Sequence, residues 1–95
     1  MTTEFLFEWA PDKAVKNFEK HGVSFEEAAT VFRDPIFITL IDDEHSTDEQ
    51  RYITIGLSYR GRLLMLAHTE DEGKIRIISS RKATKKEEQY YAETE

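Results

Sequence analysis

The chain has 95 residues, a formal net charge of −6, and 39% hydrophobic against 34% charged residues, which is typical of one globular domain over residues 1–95 rather than of a disordered segment. It contains no cysteine, which excludes disulfide bonds and zinc sites built from thiolates. Its first residues, MTTEFLFEWAPDK, have neither a basic start nor a long apolar run, so we expect no signal peptide, no membrane span and a cytoplasmic location.

Two short helices are predicted in the first third of the chain. The segment PDKAVKNFEKHG has proline at its first position and Gly22 as a left-handed stop, and we expect Val15 and Phe18 to face the core. The segment VSFEEAATVFRDP carries a capping box, Ser24 with Glu27 three residues later. Its apolar face has helical spacing and consists of Phe25, Ala28, Ala29 and Phe32.

From residue 36 onward the pattern changes to that of β-strands. Apolar, β-branched runs of strand length occupy 36–41, 51–58, 62–69 and 74–81. Glycine-containing loops between the last three runs predict hairpins, and Thr84 with Glu87 forms a second capping box that opens a C-terminal helix. The predicted fold class is therefore α+β, in the order ααββββα, with a four-stranded antiparallel sheet whose helices pack mainly on one face.

The uncovered face of this sheet is the predicted functional surface. In the second strand we assign Ile53, Ile55 and Leu57 to the core. In the fourth strand, strict alternation places Arg76 and Arg81 on opposite faces, and since each face also holds isoleucine, the pattern does not decide which face is buried. The sheet is thus expected to gather Arg62 with one or both of these arginines.

Positive charge is concentrated late in the chain, although the whole protein is acidic. The run RIISSRKATKK, residues 76–86, holds two arginines and three lysines without an acid. A local positive field draws a polyanion to a surface, and guanidinium groups suit phosphodiesters because they bind phosphate in bidentate fashion. The alternative is that these charges are merely solvated strand ends.

Two further segments contain candidate proton-transfer groups. Lys20 and His21 end the first helix, where the alternative is a cationic helix terminus that complements the helix dipole. The acid-rich segment DDEHSTDE surrounds His45, but it lacks the alternation and central glycine of a calcium loop, so we predict no metal site there. The sequence has no glycine-rich phosphate loop, nucleophile elbow or HExxH motif, which disfavours nucleotide hydrolysis and metalloprotease activity.

Most of the chain resembles the BrnT family of toxins from type II toxin–antitoxin systems. The likeness extends from Phe7 to Tyr91, and its most specific pieces are K-H-G-V-S-F, H-S-x-x-E-x-R and R-I-I-S-x-R-x-A. The resemblance implies a RelE-like fold and cleavage of RNA without a metal or other cofactor. It also implies a BrnA-type antitoxin with a ribbon-helix-helix part, through which alone the complex would bind operator DNA.

Metal-free cleavage by the ribose 2′-hydroxyl needs a base, an acid and cations near the phosphate. The predicted catalytic residues are Arg62 and Arg81, which would stabilise the phosphate, together with His45 or His21, which would move protons. The predicted RNA-binding residues are Arg76, Lys82, Lys20 and Tyr52. Two alternatives remain: a catalytically inactive module that binds the antitoxin and modulates repression, and an isolated nucleic-acid-binding domain, which would lack the usual stacking aromatics.

Overall fold

The computed structural model describes residues 5–45 and 48–94. Within these ranges the chain forms five strands and three α-helices. In chain order they are β1 (Leu6–Glu8), α1 (Pro11–His21), α2 (Phe25–Ala29), β2 (Ile38–Ile41), β3 (Arg51–Leu57), β4 (Leu63–Asp71), β5 (Lys74–Lys82) and α3 (Lys85–Thr94). One turn of 3-10 helix follows α2 and another follows β2. In the part of the chain described, no helix is long and apolar enough to span a membrane.

The sheet has five strands in the order β1-β5-β4-β3-β2. The β2–β3, β3–β4 and β4–β5 pairs are antiparallel, as the hairpin loops predicted for the last two. The β1–β5 pair is parallel. The α+β class is therefore confirmed, whereas the prediction of a purely antiparallel sheet of four strands is wrong. The missed strand has only three residues and no alternating pattern, so it owes its conformation to the open edge of β5, where Phe7 lies opposite Ile75.

Helix α1 begins at a proline and ends where Gly22 adopts φ 69°, with its N–H donated to the carbonyl of Phe18 at 2.8 Å. The predicted orientation of the helix is wrong, because Val15 and Phe18 are 59% and 56% exposed. The side of α1 that faces the protein carries Asn17 instead, which is buried. Because Asn17 is polar and lies among charged residues of α1, the sequence did not indicate that it is buried.

Asn17 attaches α1 to the C-terminal part of β5, beyond the residues that pair with β1. Its side-chain amide donates to the carbonyl oxygens of Ser80 at 2.9 Å and Val23 at 3.0 Å, and its Oδ1 accepts the N–H of Ser80 at 3.0 Å. The side chain thus makes with Ser80 the pair of hydrogen bonds that a neighbouring strand would make. It satisfies backbone groups that would otherwise be buried without partners.

The main core lies between α2 and the sheet. Its buried apolar residues are Val23, Phe25, Ala28, Val31, Phe32, Leu64, Leu66, Ile75 and Ile77. The capping prediction for α2 is confirmed on the backbone side, since Ser24 Oγ accepts the N–H of Glu27 at 3.0 Å. The close packing continues to β3, where a Cβ atom at Gly56 would lie 2.8 Å from Cγ1 of Val31. Only glycine fits between β3 and the turn after α2.

The predicted core set of β3 is confirmed for Ile55, which is 2% exposed, but not for Leu57, and the side under the helices carries mainly polar residues. We call the side of the sheet under α1 and α2 the helix face; on β3 it carries Tyr52, Thr54 and Gly56, with Ser58 just beyond. Thr54 is fully buried there, whereas Leu57, assigned to the core from the sequence, is 42% exposed on the other side. Polar residues are tolerated on the helix face because they are hydrogen-bonded: Thr54 contacts His68 Nε2 at 2.7 Å, and Ser58 donates to Glu27 at 2.7 Å.

Helix α3 contacts β3 and is fixed at both ends. At its start the second capping box is confirmed in both directions: Thr84 N–H donates to Glu87 at 2.9 Å, and Glu87 N–H donates to Thr84 Oγ1 at 3.2 Å. Near its end the buried Tyr91 hydroxyl donates to Asp34, which also accepts the N–H of Leu57 at 2.8 Å. Burial would raise the pKa of Asp34, but these hydrogen bonds outweigh it and hold the pKa below its usual value.

Candidate nucleic-acid interface

A β-bulge in β5 decides which side chains reach the second face of the sheet. Across the β4–β5 pairing, Arg76 lies opposite Thr69, Ser79 opposite Ala67, and Arg81 opposite Met65. Those partners alternate along β4 and therefore share one face, so Arg76, Ser79 and Arg81 also share it. The expectation of opposite faces for the two arginines is wrong, because Ile78 is an extra residue on the bulged strand.

We call this second side, opposite α1 and α2, the arginine face; it carries Arg51, Arg76, Ser79 and Arg81. Arg51 lies opposite Thr69, which in turn lies opposite Arg76, so the first two arginines are two strand spacings, or about 10 Å, apart. Arg76 is exposed and makes no ion pair within residues 5–45 and 48–94. The face combines guanidinium groups with hydroxyls, as a phosphate-binding surface requires.

Arg81 is held in one orientation at the start of α3. Its Nη1 donates to Glu87 Oε1 at 2.8 Å and its Nη2 donates to Glu87 Oε2 at 3.1 Å, a bidentate pair. Burial would raise the pKa of Glu87, but the hydrogen bonds from Arg81 and from the N–H of Thr84 outweigh it and keep the pKa below its usual value. The carboxylate is therefore ionised at neutral pH and fixes the plane of the guanidinium.

A groove between α1 and β5 borders the arginine face at Ser79. We call it the basic groove; it is lined by Lys13, Lys16, Asn17, Lys20, His21, Ile78 and Ser79. The three lysines are three and four residues apart, so they form one row along α1. Since Ser79 lies between Arg76 and Arg81 on β5, the predicted residues Lys20 and His21 lie close to the strand that carries both arginines.

Arg62 lies on the helix face, away from Arg81. Its Nε donates to Glu27 Oε2 at 2.9 Å, while its Nη2 donates both to the other oxygen of Glu27 and to the carbonyl of Gly22 at 3.2 Å. The hydrogen bond from Arg62 is the largest cause that lowers the pKa of Glu27, whose side chain is only 4% exposed; burial acts in the opposite direction. The structure therefore does not bring Arg62 and Arg81 together around one phosphate.

The remaining predicted residues are dispersed. Lys82 is exposed and lies opposite Leu64, on the helix-face side of β5. Tyr52 lies opposite His68 at the far end of the sheet, five residues along β4 from Leu63, or about 17 Å.

His45 follows β2 at that same far end and is 62% exposed. Its Nδ1 contacts Asp42 Oδ2 at 2.9 Å. The structure does not bring His45 near His21 or Arg81. The loop in which it was predicted also includes Ser46 and Thr47, which lie outside the described residues. Elsewhere, among residues 5–45 and 48–94, no group of three or more metal-ligating side chains could hold an ion.

His68, which carried no predicted role, is the centre of a buried polar chain. Its Nε2 contacts Thr54 Oγ1 at 2.7 Å, and Thr54 contacts Thr39 at 2.8 Å, while the ring stacks on Tyr52 with centroids 5.7 Å apart. The side chain is fully buried, and burial lowers its pKa to about 4, so the imidazole is neutral at physiological pH. The histidine inside the apolar run RLLMLAHT was the signal for this position.

Comparison with known proteins places this chain in a class of small toxins. A family model described as the ribonuclease toxin BrnT of type II toxin–antitoxin systems matches residues 9–87, so the chain belongs to the BrnT family. The crystal structure of the Brucella abortus ribonuclease toxin BrnT shares the fold, with a TM-score of 0.62 and 16% sequence identity, over 86% of this chain and 100% of that one. No curated protein sequence matches. Membership of a type II toxin family implies an antitoxin partner.

Proposed function

We propose that this toxin is a metal-independent endoribonuclease, which binds single-stranded RNA along the basic groove and the adjoining arginine face and arrests growth by cleaving it. The observation that carries the proposal is the bulge at Ile78. It aligns Arg76, Ser79 and Arg81 on one face and places this row beside Lys20 and His21. A regular strand would have divided the two arginines between the faces.

The charge arrangement favours a polyanion as ligand. Three lysines of α1 line one wall of the basic groove. The arginine face adds Arg76 and Arg81, which lie three and two residues from Ser79 along β5. Cations in a row along a groove bind a sugar–phosphate backbone without reading its sequence. Local field decides where a polyanion binds, so the acidic net charge of the chain does not oppose this.

The chemistry divides among three groups. Arg81, already oriented by Glu87, stabilises the charge that develops on the phosphate, since a preorganised donor needs no rearrangement during the reaction. As the 2′-hydroxyl attacks phosphorus and the bond to the 5′-oxygen breaks, His21 accepts the hydroxyl proton and a solvent water protonates the departing 5′-oxygen, while Lys20 and Arg76 position the strand. Arg62 has no part in this site because it lies on the other face of the sheet, where Glu27 and Gly22 accept its hydrogen bonds.

Two of the family's motifs support this location. K-H-G-V-S-F supplies Lys20 and His21, and R-I-I-S-x-R-x-A supplies Arg76, Ser79 and Arg81; both motifs border the basic groove. The third, H-S-x-x-E-x-R, ends in Arg51 on the arginine face. Motifs distant in sequence thus contribute to one continuous surface.

We further propose where in the cell the toxin acts and which protein neutralises it. RNA cleavage takes place in the cytoplasm, and a BrnA-type antitoxin neutralises the toxin there. Its ribbon-helix-helix part would supply all contact with operator DNA. Membership of a type II family supports a protein partner.

The test is RNA cleavage by the purified toxin in excess EDTA, with His21→Gln and His45→Gln as a matched pair of histidine variants. We expect cleavage to persist without metal, His21→Gln to lose about 10²–10⁴-fold in rate, and His45→Gln to keep full activity. Loss of activity in His45→Gln alone would move the site to the far end of the sheet. An inactive wild-type protein that still binds its antitoxin would identify an interaction module instead.

A further inference from the structure

The outer side of α1 carries an apolar surface that the fold leaves open. Val15 and Phe18 are more than half exposed, although they lie in the middle of an 11-residue helix. They border a shallow groove between α1 and α2 whose floor includes the fully buried Phe25. The groove is lined by Ala14, Val15, Phe18, Glu19, Ser24, Phe25 and Glu26. A contiguous apolar groove with a polar rim is typical of a protein-binding surface.

The fold does not need these two apolar side chains where they are. The helix is attached to the sheet through Asn17, on the opposite side, and through the carbonyl groups of Ser80 and Val23. Neither Val15 nor Phe18 belongs to the buried core cluster or to the partly buried hydrophobic residues packed against it. The placement of valine and phenylalanine three residues apart therefore points to a partner that covers them.

The charge of the rim indicates what kind of partner fits. Glu19 and Glu26 both line the groove, and Asp12 lies in the first turn of the same helix. A second copy of this chain would bring these acids against each other in a symmetric contact, which like-charge repulsion disfavours. A partner that presents apolar residues flanked by lysine or arginine is complementary in both respects.

We propose that the α1–α2 groove is the docking surface for the antitoxin, which contributes an amphipathic helix with a basic border. Its apolar residues at i, i+3 or i+4, and i+7 contact Val15 and Phe18, and its basic residues pair with Glu19 and Glu26. Since α1 is about 16 Å long, a partner helix of about three turns covers it. The inference rests on the toxin–antitoxin role of the chain and is independent of where RNA is cut.

The experiment measures binding of the antitoxin encoded beside this toxin, by calorimetry and by co-purification of the co-expressed pair. The variants are Val15→Gln and Phe18→Gln, and the control is Ile41→Gln, because Ile41 is 58% exposed on the edge strand β2. We expect Phe18→Gln to weaken binding by about 30-fold or more and the control to leave it unchanged. Glu19→Lys with Glu26→Lys is expected to weaken binding further and to reduce its salt dependence.

Several results would overturn the proposal. Wild-type affinity in both groove variants would reject this surface, and loss of binding in Ile41→Gln alone would move the interface to the edge of β2. A wild-type dimer in sedimentation that Phe18→Gln converts to monomer would assign the groove to a second copy of the chain.

A separate assay distinguishes this proposal from the proposed catalytic function. RNA cleavage by free Phe18→Gln is expected to equal that of wild type, because Phe18 does not line the basic groove. If wild type lacks nuclease activity but the groove variants still lose antitoxin, the catalytic proposal fails and the docking surface stands.

Discussion

The two faces of the sheet contain the same kinds of side chain in opposite situations. The helix face has Arg62 held by Glu27 and the buried His68; the arginine face has Arg81 held by Glu87, with His21 nearby in the basic groove. On the helix face Arg62 is directed into the protein, where Glu27 and Gly22 accept its hydrogen bonds, and His68 is fully buried with its Nε2 against Thr54 Oγ1. On the arginine face the polar groups are directed toward solvent, which makes them available to a ligand.

The two arginine–glutamate pairs show what this difference means. The glutamate side chain is 4% exposed in the Arg62 pair and 22% exposed in the Arg81 pair. Removing an arginine from an almost fully buried carboxylate leaves a buried charge, whereas a partly exposed carboxylate can be hydrated in its place. Arginines that look equivalent in the sequence should therefore differ, one acting chiefly on stability and the other on catalysis.

The largest expected effect is on the rate of RNA cleavage in Arg81→Ala. Loss of one preorganised phosphate-stabilising donor should slow cleavage by about 10²–10³-fold, equivalent to about 2.7–4 kcal/mol. Thermal melting should change little, since partly exposed pairs contribute at most about 1 kcal/mol. Arg60→Ala is the control, because Arg60 is an exposed arginine on the other side of the sheet. Normal cleavage by Arg81→Ala would show that Arg81 is a solvated surface residue without a catalytic role.

The next effect concerns the free energy of unfolding, which should depend on pH because of His68 on the helix face. Because burial lowers its pKa from 6.5 to about 4, the unfolded chain takes up a proton first as the pH falls. The free energy of unfolding should therefore decrease from about pH 6.5 down to pH 4, by roughly 3 kcal/mol in all.

Chemical denaturation from pH 7 to 5 isolates this histidine, since the carboxylates with lowered pKa values titrate below that range. His68→Gln should flatten the slope, whatever its own stability at pH 7. An unchanged slope in the variant would contradict the assignment.

The smallest of the three effects is the destabilisation expected for Arg62→Ala. The buried carboxylate of Glu27 would lose its main partner but keep the hydroxyl of Ser58 at 2.7 Å and Arg60 at 3.7 Å, so we expect a loss of about 2–3 kcal/mol. The double variant Arg62→Ala with Glu27→Gln should recover part of this. Activity per folded molecule should remain, and its loss in a fully folded variant would restore Arg62 to the catalytic set.

Local signals in the sequence predicted much of the fold. The Ser24 cap of α2, the reciprocal capping box of α3, the glycine after α1 and the hairpin loops act over a few residues, and each appears where expected. The other half of the α2 box does not form, because the Glu27 side chain binds Ser58 and Arg62. The features that were missed depend on distant contacts. β1 exists beside the edge of β5, and the faces of β3 follow from partners of Thr54 and Ser58 that lie 14 and 31 residues away.

The candidate site was predictable in part for the same reason. Lys20, His21, Arg76 and Arg81 were recognised as residues of the right chemistry, but their assembly depends on a single extra residue, Ile78, inside an apolar run. Nothing in the local sequence distinguishes a bulged isoleucine from a regular one. The commitment of Arg62 to Glu27 spans 35 residues and was equally invisible.

The amide of Asn17 has a consequence for self-association. The sheet order leaves β1 and β2 at its two borders, and the Asn17 amide covers β5 at Ser80, beyond the three residues that pair with β1. The backbone groups of Ser80 that could pair with a strand of another molecule are therefore already occupied. Within residues 5–45 and 48–94 the border strands have only three and four residues, and such short edges offer little template for edge-to-edge addition.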